Sequence, residues 1–218
     1  MEIIASDRQD PTSAWQLYRA MVGVGLVCGA LIVGAYLVTL DTIAANRAEL
    51  LQRAIFQVLP GATNFHEIDL GETVYAGFDE SGDLLGLAIP AQGMGYQDVI
   101  HILYGYNPTR QQIIGLQVLE SKETPGLGDR IEKDPAFLAN FTALDVSVNS
   151  SGNALARAIE LVKPGKKTRP WEIDSISGAT ISSAAIARMV AKSSTRIVPL
   201  IYAQRDAISS SEDANNEH

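Results

Sequence analysis

An uncharged, mostly apolar run from Ala20 to Leu40 constrains the fold of this chain more than any other feature. A helix rises about 1.5 Å per residue, so a run of this length crosses a hydrocarbon core of roughly 30 Å. A buried helix of a water-soluble protein would be interrupted by charges or caps over such a distance. We therefore predict a transmembrane helix over residues 20–40, in contact with membrane lipid.

A cleaved signal peptide is the alternative interpretation of this run. It would have an apolar region of roughly 7–15 residues and a basic leader. The run here is longer, and acidic Glu2, Asp7 and Asp10 stand beside Arg8 and Arg19 in the preceding residues. These features favour an anchor that is retained.

The orientation is not decided by charge, because Arg8 and Arg19 precede the span while Arg47 and Arg53 follow it. A single N-terminal span before a long folded domain commonly leaves the tail inside the cell. We therefore expect residues 1–19 to be a cytoplasmic tail of a single-pass protein of the inner (cytoplasmic) membrane. The soluble domain is then expected on the periplasmic or outer side.

Residues 41–60 are predicted to form a helical connector. Leu51, Ile55 and Val58 recur at helical spacing, and Pro60 followed by Gly61 ends the pattern. Residues 199–218 read as a polar tail, which we expect to be disordered.

The intervening residues 61–198 alternate between strand-like and helical patterns. The strands are predicted at Thr73–Phe78, Leu84–Ile89, Asp98–Tyr104, Ile113–Leu119, Ala158–Val162 and Trp171–Ile176. A short helix is expected over Asp134–Phe141 and a longer one from Ile181 to Ser194. The class is therefore α+β: one transmembrane helix followed by a single domain with an antiparallel sheet and packed helices.

Charge and residue counts exclude several functions. The net charge of −8 argues against a nucleic-acid partner, since phosphates require a basic surface. The lone Cys28 cannot form an internal disulfide or a thiolate metal site, and His66, His101 and His218 lack ligand spacing. We expect no metal. The basic turn Lys163–Arg169 could dock a partner, although a solvated hairpin explains it as well.

Three glycine-containing segments are candidates for a binding site. The Gly93–Gly95 segment precedes a strand and could be only a hairpin turn, and Pro125–Gly126 within "ETPGLG" could be only a type II turn. In the third segment, "DSISGAT", Ser177 and Thr180 could be only helix caps.

The third segment has further potential, because a helix N-terminus presents free N–H groups and a partial positive charge that suit a phosphate. Gly178 and Ala179 leave the backbone accessible, and Thr180 adds a hydroxyl. A phosphate there could be hydrogen-bonded or covalently joined to that oxygen, and these residues alone do not choose between the two.

The three segments together resemble the FMN-binding domain family. Asp174-x-x-Ser177-Gly178-Ala179-Thr180 matches the signature at which flavin transferases attach FMN to threonine, and "ETPGLG" and the earlier Gly-x-Gly match two further motifs in the same order. With the N-terminal anchor, the pattern resembles the G subunit of Rnf electron-transport complexes, and the related C subunit of sodium-pumping NADH:quinone reductases.

The resemblance implies a role for each matching residue. Thr180 would carry FMN by a phosphoester, Ser177, Gly178 and Ala179 would shape the phosphate site, and Asp174 would belong to the modification signal. The residues expected near the flavin ring or its ribityl chain are Glu123, Thr124, Gly126, Leu127, Gly128, Gly95 and Tyr96. No catalytic residue is implied. Ser182, Ser183 and Ala184 stand where relatives often carry a lysine, which leaves the flavin's electrostatic setting open.

The function implied is electron relay within an Rnf-type ion-translocating ferredoxin:NAD oxidoreductase complex. Its partners would be the other membrane subunits and, during maturation, a flavin transferase. Two alternatives remain: an FMN-bearing accessory or sensor subunit of a different membrane reductase, and an anchored binding module without a cofactor, in which "SGAT" is only a cap.

Overall fold

The computed structural model describes residues 14–209 and begins with a long helix, α1, at Ala14–Val58. The chain forms two compact units that meet in sequence between Glu49 and Leu50. In the first unit the large apolar side chains of α1 are exposed, and the helix is long and apolar enough to cross a membrane. It fits a single-pass anchor. Residues 14–19, expected in the tail, are already helical because apolar Trp15 and Leu17 extend the pattern; residues 1–13 lie outside the described part.

The second unit is built on a six-stranded antiparallel meander, in which each strand pairs with the next along the chain. Its strands are β1 (Asn64–Asp69), β2 (Thr73–Phe78), β3 (Leu84–Met94), β4 (Val99–Asn107), β5 (Gln112–Glu120) and β6 (Leu144–Asp145). Between β5 and β6 lie the short helices α2 (Arg130–Lys133) and α3 (Pro135–Leu138) and a 3₁₀ turn at Ala139–Phe141. The Asp134 side chain accepts hydrogen bonds from the amides of Ala136 and Phe137, as its predicted cap position requires.

A second, two-stranded sheet leads to the last helix. Strands β7 (Glu160–Val162) and β8 (Glu172–Asp174) pair in parallel, and helix α4 (Thr180–Ser209) follows. The expected α+β class with an antiparallel main sheet is confirmed. The parallel pair is an addition to that expectation.

The two faces of the main sheet are covered by different helices. The buried residues of one face, including Ile89 and Ile102, form the main core together with Ile186 and Val190 of α4. On the opposite face a smaller core joins Ala88 and Leu103 to the end of α1. This alternation follows from the period of two in a strand, which sends neighbouring side chains to opposite faces.

Glycines allow the end of α1 to lie directly on the sheet. Gly105 and Gly115 are cross-strand partners on β4 and β5. A methyl group at Gly115 would lie 3.0 Å from Val58 Cα, and one at Gly105 would press against the Val58 carbonyl oxygen. The strand glycines therefore set the distance between the end of α1 and the sheet.

We expect Gly105→Ala to lower the free energy of unfolding by about 1–3 kcal/mol, the usual range for overpacking. The upper end applies here because Val58 contributes backbone atoms, which cannot rotate away. Urea unfolding of the full-length protein measures the change. Thr73→Ala, at an exposed position of β2, is the control and should change stability by no more than about 0.5 kcal/mol.

The sequence-based assignment was wrong about the end of α4 and about two strands. Helix α4 continues through Pro199 to Ser209, where a tail was expected from residue 199. Buried Ile197, Ile201 and Ile208 hold this extension against the core, and that burial outweighs the hydrogen bond lost at Pro199. Residues 210–218 lie outside the described part. Strands β1 and β6 were also missed, because Phe65, Glu67 and Asp69 of β1 do not form a clear apolar alternation and β6 has only two residues.

Candidate functional site

The segment "DSISGAT" connects β8 to α4. Gly178 has φ of +83°, a left-handed conformation that glycine adopts without strain, and no atom lies within 4 Å of the place where its Cβ would be. The Ala179 amide donates to the Ile176 carbonyl at 3.1 Å, and Thr180 is the first helical residue. Its side chain is exposed, and Oγ1 makes only a long contact of 3.5 Å with the Ile176 carbonyl. The Thr180 hydroxyl is therefore accessible at the start of a long helix.

The "ETPGLG" loop is ordered by its own backbone. The amides of Leu127 and Asp129 both donate to the Thr124 carbonyl, and the Gly126 amide donates to Asp129 Oδ1 at 2.7 Å. Gly126 has φ of +79°, as expected for a turn that requires glycine. Leu127 is left exposed at the tip of this loop.

Glu123 joins the three glycine-containing segments. Its side chain is buried, and Oε1 accepts hydrogen bonds from the amides of Tyr96 and Gln97 at 2.8 and 3.0 Å. The other oxygen, Oε2, accepts a short hydrogen bond from Ser182 Oγ on α4. A methyl group at Gly95 would lie 2.5 Å from Oε1, so the turn after β3 must pass close to this carboxylate. The Glu123 carboxylate is therefore committed to holding the segments together.

These segments enclose a cavity of about 340 Å³. Its lining comprises Tyr96, Glu123, Thr124, Leu127, Gly128, Gly178, Ala179, Thr180, Ile181 and Ser182. All the predicted site residues except Gly95, Gly126 and Ser177 thus line one cavity. Gly95 and Gly126 shape its walls through the contacts above, and the Ser177 carbonyl accepts a hydrogen bond from Arg130 at 2.7 Å.

Ile181 and Ser182 line the cavity but were not predicted. Ile181 could have been predicted, because it directly follows Thr180 and therefore lies in the first turn of α4, next to the expected attachment point. Ser182 could not be identified from spacing, since its partner Glu123 is far away in sequence.

Asp174 stands outside the cavity and organises the basic turn. Its Oδ1 accepts hydrogen bonds from the amides of Lys166 and Lys167, both at 2.9 Å, while the Asp174 amide donates to Asn140 Oδ1. Beside it, backbone N–H groups of Thr168 and Arg169 donate to Glu172 and hold the pKa of that carboxyl below its usual range. The turn joins two parallel strands, so the solvated hairpin expected here is wrong. Lys163 and Lys166 are exposed, whereas the half-buried Lys167 donates through Nζ to the Asn140 carbonyl at 3.4 Å.

We expect Asp174→Ala to lower the free energy of unfolding by about 1–2 kcal/mol, because the amides of Lys166 and Lys167 lose their acceptor. Asp174→Asn keeps an oxygen at the same place and should lose clearly less. Limited trypsin digestion checks this, since a loosened turn exposes the bonds after Lys166 and Lys167. Equal cleavage rates in wild-type and Asp174→Ala protein would contradict this role.

No group of three or more His, Cys, Asp or Glu side chains within residues 14–209 is arranged to hold a metal ion. Three large apolar side chains that line the cavity are exposed at its mouth. Tyr96, Leu127 and Ile181 are 65%, 57% and 54% exposed, which is unusual for large apolar residues beside a recessed site. The geometry combines an apolar rim, a helix N-terminus without bulky side chains and an accessible hydroxyl.

Comparison with known proteins agrees with these features. Residues 95–194 match the family model of the FMN-binding domain, a span that contains every predicted site residue. A relative from Methanosarcina acetivorans, described as the G subunit of an ion-translocating oxidoreductase complex, is 33% identical over 76% of this chain and 85% of its own length. A Clostridium ljungdahlii protein, described as the G subunit of a proton-translocating ferredoxin:NAD(+) oxidoreductase complex, is 26% identical over 86% and 92%.

Among solved structures, the C subunit of a Na⁺-translocating NADH-quinone reductase from Parabacteroides distasonis has the same fold. Its TM-score is 0.57 at 20% identity, and the match covers 74% of this chain and 96% of the other. The Methanosarcina relative is similar enough to this chain, over most of both sequences, to show that the two proteins belong to the same family. The chain belongs to the family formed by the G subunits of ion-translocating oxidoreductase complexes.

Proposed function

We propose that this chain is the membrane-anchored flavoprotein subunit of an Rnf-type ion-translocating ferredoxin:NAD oxidoreductase complex, and that it relays electrons through FMN joined by a phosphoester to Thr180. The observation that carries the proposal is the cavity at which "ETPGLG", "DSISGAT" and Tyr96, the residue after the Gly-x-Gly motif, meet, with the Thr180 hydroxyl exposed in its wall. The assignment to this type of complex is supported by the two relatives, which are described as G subunits of ion-translocating oxidoreductase complexes.

The residues present fit FMN. The N-terminus of α4 and the bare backbone at Gly178 and Ala179 suit the phosphate, because free N–H groups and the helix dipole favour an anion. The exposed Tyr96, Leu127 and Ile181 suit a planar apolar ring system, which would cover surface that water otherwise meets. Glu123 has both oxygens committed within the protein, so it would shape the site through Tyr96, Gln97 and Ser182.

The bound isoalloxazine supplies the redox chemistry, and the chain's own residues hold and position it. Attachment would form a bond between Thr180 Oγ1 and the FMN phosphorus as the pyrophosphate bond of a flavin dinucleotide breaks, so that a nucleoside monophosphate leaves and the hydroxyl proton is released. A flavin transferase would carry out this step. A covalent tether suits a domain on the outer face of the membrane, where dilution would remove a reversibly bound cofactor. Thr180 is an anchor and not a nucleophile of turnover.

Single-pass topology with the domain on the periplasmic or outer side belongs to the same proposal. It rests on the apolar N-terminal helix and the long domain that follows it. Reaction of an engineered cysteine at an exposed domain position, such as Arg110, with a membrane-impermeant maleimide reports the side. Labelling in intact spheroplasts supports the outer side, whereas labelling only after lysis places the domain in the cytoplasm. Cys28 is replaced by serine in these experiments.

The proposal is tested by co-expressing the full-length chain with a flavin transferase and measuring its intact mass. We expect one FMN per chain, with flavin fluorescence that persists after denaturation. Purification from a host that carries the remaining complex genes should recover the other membrane subunits. Covalent FMN without those subunits would instead favour an accessory or sensor subunit of another membrane reductase.

A further inference from the structure

A second cleft, larger than the cavity beside Thr180, lies between α4 and strands β3 and β4. Its volume is about 580 Å³. Residues 185–196 of α4 contribute to one wall, and residues 90–94 of β3 contribute to the other. The smaller cavity is lined by residues 180–182 of α4 and by Tyr96, so the two cavities follow one another along the same helix and share no lining residue.

A row of cations runs along the helix wall of this larger cleft. Arg188, Lys192 and Arg196 are spaced by four residues and therefore lie on one face of α4. Arg196 is neutralised by Glu72, which also lines the cleft. Arg188 and Lys192 are exposed and make no ion pair with any residue between 14 and 209. Two uncompensated cations thus face one cleft in a chain whose net charge is −8.

The floor beneath these cations is apolar. Ile102 is fully buried in β4, and Ala185 and Met189 of α4 are almost completely buried. Below the lining residue Ser193, the Tyr104 hydroxyl shares a hydrogen bond of 2.8 Å with Ser193 Oγ, and among the described residues Oε1 of Glu72 is buried without a hydrogen-bond partner. An apolar floor with a few polar groups at one side is the usual composition of a small-molecule site, and the volume falls within the usual range of roughly 300–1,000 Å³.

We propose that this cleft binds a small amphipathic anion. The ligand's apolar body, about the size of a naphthalene ring, lies over Ala185 and Met189, and its anionic group lies between Arg188 and Lys192. Charge-assisted hydrogen bonds from the two cations fix the charged end, and burial of the ring provides the remaining affinity. The site is separate from the proposed FMN attachment and does not depend on it.

The test uses 2-naphthyl phosphate as the probe and the full-length chain in lipid nanodiscs. Equilibrium dialysis measures the bound probe by its fluorescence, and empty nanodiscs correct for partition into lipid. We expect one saturable site per chain, with inorganic phosphate alone failing to compete at equal concentration. The double variant Arg188→Gln/Lys192→Gln should weaken binding at least about tenfold, because both charged contacts are lost.

The matched control is Arg110→Gln/Lys163→Gln, which removes the same charge from exposed positions outside the cleft and should leave binding unchanged. Gln92→Glu adds a negative charge to the exposed wall and should weaken binding without disturbing the core. Equal weakening by the control pair, or no saturable binding to wild type, overturns the proposal. Binding that disappears when FMN is attached also overturns it, since the flavin would then occupy the cleft.

Discussion

Replacing Thr180 with alanine is expected to abolish covalent FMN while leaving the domain folded. The hydroxyl is the only reactive group of that side chain, and within the protein it makes no more than a long contact with the Ile176 carbonyl. Its removal should therefore lower stability by no more than about 1 kcal/mol. Intact mass and flavin fluorescence of the denatured protein, after co-expression with a flavin transferase, give the result directly. We expect a loss of the entire FMN mass addition.

The cavity offers a second threonine, and this makes the experiment selective. Thr124 also lines the wall, so Thr124→Val tests whether its oxygen is the attachment point instead. Thr195→Ala removes an exposed hydroxyl further along α4 and should have no effect. Thr180→Ser keeps an oxygen at the same backbone position and should restore attachment. A flavin that survives denaturation in Thr180→Ala protein would place the tether elsewhere.

The parts of the fold that were predictable depend on local pattern. The run of β-branched and aromatic residues at Thr73–Phe78, bounded by turn residues, predicted β2, and the cap chemistry at Asp134 marked the start of α3. The spacing in "DSISGAT" located the beginning of α4 to within one residue, because Gly178 breaks the preceding segment and small residues begin the helix. In each case the determining interactions lie within a few residues along the chain.

What was missed depends on contacts between distant residues. Pro199 ordinarily ends a helix, and only the burial of Ile201 and Ile208 against the core shows why α4 continues. The three motifs were recognisable in the sequence, but the hydrogen bonds of Glu123 that unite them join segments more than twenty residues apart. The larger cleft also requires α4 to lie across β3, which no local pattern specifies.

Removing the Glu123 carboxylate should be among the most damaging single changes in this domain. In Glu123→Ala the amides of Tyr96 and Gln97 and the Ser182 hydroxyl all lose their acceptor. An unsatisfied buried polar group costs about 1–3 kcal/mol, and some of these groups will recruit water. We expect the free energy of unfolding to fall by about 2–4 kcal/mol, as measured by urea unfolding of the full-length protein.

Two further variants distinguish the loss of these hydrogen bonds from the loss of a negative charge. Glu123→Gln keeps an oxygen that can accept from both amides, and its NH₂ group can donate to Ser182 Oγ, so its loss should stay near about 1 kcal/mol. Glu80→Ala, at an exposed turn, should change stability by no more than about 0.5 kcal/mol. Hydrogen exchange gives a local readout: the Tyr96 and Gln97 amides should exchange faster in Glu123→Ala than in either other variant. If these amides remain protected while Glu123 is alanine, other contacts hold the turn, and the carboxylate is not what brings the three segments together.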